Sequence, residues 1–207
     1  MIVSANKGHI GGSFSCVEIL VALYYGILKP EDTFILSKGH ACAPLYAILA
    51  DKGYFPVSEL KTFCQEGSRL EGHPHRGIPG IEVNTGSLGH GLGIGAGLAL
   101  ADRTKRVYVL LGDGECQEGS VWEAAMFAGH HKLNNLIAII DRNQLGIIGS
   151  VEGLEPLAYK WRAFRWEVRE VDGHSLSQLS NALNRQNSQT LMIIAKTVKG
   201  KGVSFME

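Results

Sequence analysis

Charge of one sign is missing from this chain. Lys+Arg 20 balance Asp+Glu 20 in 207 residues, so no net field draws it toward nucleic acid or an anionic membrane. Cysteine is scarce and scattered. Cys16, Cys42, Cys64 and Cys116 make no C-x-x-C pair, which argues against a zinc framework or a disulfide scaffold and leaves reduced packing residues. Unbroken apolar runs such as Ile19 to Tyr25 and Leu136 to Ile140 fall far short of the ~20 residues a membrane span needs. No basic-then-apolar signal peptide opens the sequence, so a cytoplasmic chain is expected, with neither membrane nor nucleic acid as partner. At 45% hydrophobic and 19% charged residues, disorder is excluded. The length suits one sizeable domain and leaves a second cramped.

Glycine is the excess: 26 of 207 residues, against a usual ~7%. Around it the apolar pattern divides the chain. Helical spacing from Ser15 to Leu28 stops at Pro30, further helices are predicted over Ala41 to Asp51 and Ser58 to Cys64, and Gly67 to Gly80 reads as loop. Then the period changes. Val107 to Leu111, a helix over Ser120 to Lys132, and Leu136 to Ile140 form a βαβ pattern with continuously apolar strands. Trp166 to Val171, a helix over Leu176 to Arg185, and Leu191 to Ala195 repeat it. The expected fold is α/β, a doubly wound, mainly parallel sheet with helices on both faces, built as one domain over residues 1–207.

Ligands of such sheets sit at the carboxyl ends of the strands, so the residues after each apolar run matter most. Gly112 to Gly119 (GDGECQEG) follows one run and Asp141 to Gly146 (DRNQLG) the next. One βαβ unit brings Asp113 and Asn143 to the same edge. A carboxylate, an amide oxygen and a nearby carbonyl suit a hard cation such as Mg²⁺, and the flanking glycines admit a diphosphate. Either residue alone would be read as a turn or a cap. A second cluster, Gly86 to Gly97, runs from loop into helix, where interior glycines cost ~0.8–1 kcal/mol each. Tight helix packing, or close approach of a flat cofactor or a second subunit, would offset that cost. His9, His40 and His73 precede the first strand of the βαβ pattern in loop-like contexts. A shared polar pocket for hydroxyls or protons is one reading and solvent-exposed caps the other.

Taken together these segments resemble the thiamine-diphosphate-binding half of transketolase. GDG with Asn thirty residues later is the metal motif of thiamine enzymes generally. KGHIGGS (Lys7 to Ser13), ILSKGHA (Ile35 to Ala41), EGHP (Glu71 to Pro74), TGSLGHG (Thr85 to Gly91), GDGECQEGSVWEA (Gly112 to Ala125) and DGH (Asp172 to His174) point to transketolase in particular. The similarity covers nearly all of this chain and about the first third of a full-length transketolase. It implies that Asp113 and Asn143 bind Mg²⁺ through side chains and Leu145 through its carbonyl. It also implies that His40 and Gly114 contact the diphosphate and that Gly86 and Leu88 line the thiazolium and aminopyrimidine. His9, His40 and His73 would then hydrogen-bond the donor sugar and the reacting carbon. Glu118 and Glu123 match acidic residues that lie between the two active sites of a dimer, where crowded carboxylates raise at least one pKa.

By the same resemblance, the glutamate that activates the aminopyrimidine, further histidines and the arginines that hold sugar phosphate lie in a following pyrimidine-binding domain. The expectation is therefore an N-terminal subunit of a split transketolase, self-associating and completed by a C-terminal partner subunit, two copies of each. Ile10 stands where proline is common and His90 where glutamine is common. Competing readings are a related thiamine enzyme such as 1-deoxyxylulose-5-phosphate synthase, or an inactive homologue that dimerises without turnover. A dinucleotide fold is a third, since Gly91, Gly93 and Ala96 fit G-x-G-x-x-A, but Asn84 to His90 before them is not an apolar strand.

Overall fold

The apolar runs become the centre of a parallel sheet. In the computed structural model, which describes residues 1–146, 149–151, 153–185 and 188–207, the strands are β1 (Thr33–Leu36), β2 (Val107–Gly112), β3 (Leu136–Arg142), β4 (Glu167–Asp172) and β5 (Leu191–Lys196). Their order is β1-β2-β3-β5-β4, and every neighbouring pair is parallel. Every residue of β2 and β3 is buried, as expected for strands covered on both faces.

Helices α1 (Ile2–Ala5), α2 (Ile10–Phe14), α3 (Val17–Ala22) and α4 (Cys42–Asp51) precede β2 in the chain. After them come α5 (Gly91–Ala101), α6 (Gly119–His130), α7 (Leu157–Ala163) and α8 (Leu176–Asn184). The two-residue period of β2 splits its side chains between two cores. Tyr108 and Leu110 join Leu20 and Leu23, Leu45 and Leu49 of α4, and Leu179 and Leu183 of α8. Val109 and Leu111 join Leu92 of α5, Val121 and Ala125 of α6, and Leu157 and Trp161 of α7. Each fully buried aliphatic side chain contributes about 1.5–3 kcal/mol.

The sequence pattern misplaces several elements. Val57–Thr62 is a 3-10 helix rather than an α-helix, and the helix expected from Ser15 to Leu28 is α3, which starts at Val17 and ends in a π turn, Leu23–Ile27. The 18 residues Ile10–Ile27, from α2 through the π turn, are apolar enough to cross a membrane by length and composition, but half of the stretch is buried within the protein. Ile19, Leu20 and Leu23 are spent on the core. The four-residue β1 and the short α7 are too brief to show a period.

One consequence of the winding positions the site. β1 leads into α4 on one face and β2 into α6 on the other, so the chain diverges between their carboxyl ends and leaves a crevice there.

Candidate active site

Glu115 lies in that crevice. Its carboxylate accepts from Ser37 Oγ after β1 (2.5 Å), from the Gly89 N–H of the glycine loop (2.9 Å) and from the Gly112 N–H of β2 (3.1 Å). Burial pushes the carboxyl above its usual range, against the lowering pull of those three donors. Three segments thus converge on one buried acid. Close approach demands glycine here: a Cβ on Gly39 would meet Thr85 Oγ1 at 2.7 Å and the Gly86 nitrogen at 3.0 Å. Gly89, at φ 87°, would meet Glu118 Cβ at 2.7 Å. Thr85 Oγ1 is buried with no hydrogen-bond partner, a polar atom waiting at the crevice wall.

The three histidines gather at the mouth. The His9 and His40 rings meet edge-on with centroids 5.3 Å apart, and His73 Cδ2 lies 3.2 Å from where a Gly86 Cβ would stand. His9 and His73 are exposed and His40 is half-buried. Burial, then the positive Lys38 and the other two imidazoles, lower the His40 pKa to about 3, so this ring is neutral at pH 7. Gly12 leaves it room, since a Cβ there would lie 3.3 Å from His40 Nε2.

Asp113 occupies the end of β2, almost fully buried. Oδ1 accepts from the Gly114 N–H (2.8 Å), while Oδ2 accepts from the Gln144 N–H (2.5 Å) and from Arg142 Nη1 (3.1 Å). These bonds pin the loop after β3 against the loop after β2. In that loop Asn143 Oδ1 accepts from the Leu145 N–H (3.1 Å), and Lys199 Nζ donates to the carbonyls of Leu145 (3.2 Å) and Gly146 (2.7 Å). The segments that carry the expected donors therefore meet at one edge, through the bond from the Gln144 N–H to Asp113. Carboxylate, amide oxygen and carbonyl are hard oxygen donors of the kind Mg²⁺ takes, and the orphaned Thr85 hydroxyl near Gly39 suits a polar ligand, so the residue types fit the implied groups. Among the described residues no three His, Cys, Asp or Glu side chains cluster as an all-protein metal cage.

Beneath this edge Lys38 and Asp141 form an ion pair with side chains 1% and 0% exposed. Asp141 also accepts from Ser15 Oγ (2.5 Å) and from Thr197, and Lys38 donates to the Gly12 carbonyl (2.8 Å). Burial opposes both charges, yet each holds the other ionised: the Asp141 pKa is lowered and that of Lys38 raised. The network ties the His9 segment, the His40 segment, β3 and the end of β5 together.

Glu118 and Glu123 are exposed on this chain, next to the outer face of α5. That helix resolves the glycine question in two halves. Gly95 is pressed on the sheet, where a Cβ would meet Val109 Cγ2 at 2.6 Å, whereas Gly97 has nothing within 4 Å. Glu123, Gly93, Gly97 and Phe127 line an open cavity of about 440 Å³ on that face. Leu88 is half-buried, as are Gly86 and Gly114. The four cysteines are free, and burial lifts the Cys16 thiol to about 12. Lys38, Glu115, Asp141, Arg142 and Lys199 emerge as members of the site only in the structure. For Asp141 and Arg142 the signal was a charge placed directly on the end of an apolar strand.

Fold and site define a doubly wound α/β domain with hard oxygen donors at the carboxyl ends of its central strands, where folds of this class take their ligands. The chain belongs to the transketolase family: all of residues 1–207 match the transketolase thiamine diphosphate-binding domain. It is 43% identical, over its whole length, to 80% of an apulose-4-phosphate transketolase subunit from Phocaeicola vulgatus. It is 44% identical, over 97% of its length, to 80% of a 6-deoxy-6-sulfo-D-fructose transketolase subunit from Clostridium sp.. The crystal structure of transketolase from Campylobacter jejuni superposes with a TM-score of 0.92 at 34% identity, covering 97% of this chain and 36% of that one. Against the human transketolase, too, the chain spans only 36% of the length.

Proposed function

We propose that this chain is the thiamine-diphosphate-binding subunit of a split transketolase. It would transfer a two-carbon ketol unit from a ketose phosphate to an aldose phosphate, with Mg²⁺, once joined by a C-terminal partner subunit. The observation that carries the proposal is the bond from the Gln144 N–H to Asp113, which joins the loop after β2 to the loop after β3 that bears Asn143 and Leu145. Relatives named as transketolase subunits support the division into two chains.

Asp113, Asn143 and the Leu145 carbonyl would hold the metal, and Gly114 and His40 the diphosphate. Gly86 and Leu88 would line the rings. When bound, thiamine diphosphate supplies the nucleophilic carbon and electron sink needed to cleave the bond beside a ketone. The protein contributes position and protons. Neutral His40 can accept or donate a hydrogen bond at its imidazole, and the exposed His9 and His73 face the mouth where sugar hydroxyls would arrive. The open α5 face, with Glu118 and Glu123 at its edge, suits a second copy of the chain, which would bring the carboxylates of two sites together.

The test mixes the chain with a candidate pyrimidine-domain subunit, thiamine diphosphate, Mg²⁺, a ketose phosphate and an aldose phosphate. Two-carbon transfer requiring both subunits is the expected result. Consumption of pyruvate in place of the ketose would indicate a related thiamine enzyme, and cofactor binding without turnover an inert homologue.

A further inference from the structure

The two cation-binding roles of Asp113 collide. Its Oδ2 already accepts from Arg142 Nη1 at 3.1 Å, and Arg142 is nine-tenths buried. The same guanidinium gives Nη2 to Glu155 Oε1 at 2.8 Å, and that carboxylate is 68% exposed. Arg142 is therefore held between one buried acid and one acid at the surface. The other oxygen of Glu155 accepts from the Leu157 N–H (2.9 Å), which fixes the carboxylate at the start of α7. Arg142 and Glu155 also share the wall of a cavity of about 280 Å³ with Tyr159, Arg162 and Glu170. A guanidinium that leaves Asp113 thus has a carboxylate to stay on and space to turn into.

We propose that Arg142 competes with the divalent cation for Asp113, and that Glu155 sets the balance by drawing the guanidinium away. This rests on the reading of Asp113 as a metal ligand. The physical reason is charge. A guanidinium and a divalent ion on one carboxylate oxygen repel at close range in a poorly solvated site, so each binds at the other's expense. Glu155 touches no proposed ligand of the metal, and Arg142 is a positioning residue that acts through Asp113.

The two halves of one salt bridge should then act in opposite directions, an outcome that a merely structural pair would not give. Mn²⁺ binding to the full chain is measured by electron paramagnetic resonance, with and without thiamine diphosphate, in proteins whose circular dichroism matches wild type. Arg142→Gln is expected to tighten Mn²⁺ about fivefold or more, within the usual range of coupling between sites. Glu155→Gln, which keeps an acceptor for the Leu157 N–H, is expected to weaken it by a similar factor. In the Arg142→Gln background Glu155→Gln should have no effect. A simple change of local charge would instead persist there, so the double variant separates competition from field. Weakening by both variants, no change in Glu155→Gln, or an undiminished Glu155→Gln effect in the double variant would overturn the competition while leaving the metal site standing. Mn²⁺ binding that survives Asp113→Asn unchanged, or no binding to wild type even with cofactor and the partner subunit, would overturn the metal-ligand reading and the competition with it. Glu155 lies on the surface, so its single variant does not depend on a core substitution folding.

Discussion

Two ion pairs sit at the carboxyl edge of the same sheet, both anchored on β3, and they are built differently. Asp141 with Lys38 is sealed: Ser15, Thr197 and the Gly12 carbonyl complete the hydrogen bonds, and neither side chain reaches water. Asp113 with Arg142 is open, because Arg142 passes its second edge to the surface carboxylate of Glu155. A buried charge whose partners are all internal behaves as scaffold. A buried charge whose partner also bonds a surface group is less firmly committed, and Asp113, the carboxylate expected to hold a metal, belongs to this second pair.

Breaking the sealed pair should cost most. Asp141→Ala leaves Lys38 buried and unpaired, and a loss of about 3–5 kcal/mol in urea unfolding is expected. Replacing both partners, as Lys38→Met with Asp141→Leu, should recover much of that loss, since the desolvation of both charges disappears together. Recovery of nothing would mean that Ser15 and Thr197, rather than the pair, carry the stability. Next in size is Glu115→Gln. It keeps the shape but presents an amide to two N–H donors, so about 1–3 kcal/mol should be lost, together with affinity for thiamine diphosphate. Unaltered stability would remove Glu115 from the account of the crevice.

His40 gives a smaller, pH-dependent effect. With its pKa lowered to about 3, the folded chain binds fewer protons than the unfolded one between pH 3 and the ordinary histidine value near 6.5. Its contribution to stability is therefore full above that value and lost as pH falls through the window, at no more than about 1.4 kcal/mol per pH unit. His40→Gln should narrow the difference between urea midpoints at pH 7 and pH 5; an unchanged difference would place the ring in water. Least of all, Glu155→Gln should alter stability by no more than about 1 kcal/mol, as for other exposed pairs. Its effect belongs to metal affinity, which sharpens the contrast with Asp141.

The sequence carried the frame and the motif, and missed the ties between them. The βαβ spacing was readable because β2 and β3 are long, apolar and buried throughout, so Asp113 and Asn143 had to emerge at one edge. β1 went unrecognised because four residues, TFIL, show no period, and with it went the crevice between β1 and β2. The histidine pocket was legible only as shared local context, and the structure supplies the 5.3 Å approach of His9 and His40. Glu115, Lys38 and Arg142 have partners 78, 103 and 29 residues distant, and no local pattern encodes such pairings. The glycines of α5 could not be divided between packing and an open face without knowing which side of the helix met Val109.

The central claim is that the edge around Asp113 binds thiamine diphosphate through a divalent cation. Calorimetric titration of thiamine diphosphate into the chain, with and without Mg²⁺ and beside Asp113→Ala, tests it most directly, repeated with the partner subunit present. The account predicts binding that requires Mg²⁺ and disappears in the variant. Cofactor binding that is indifferent to both Mg²⁺ and Asp113 would contradict it.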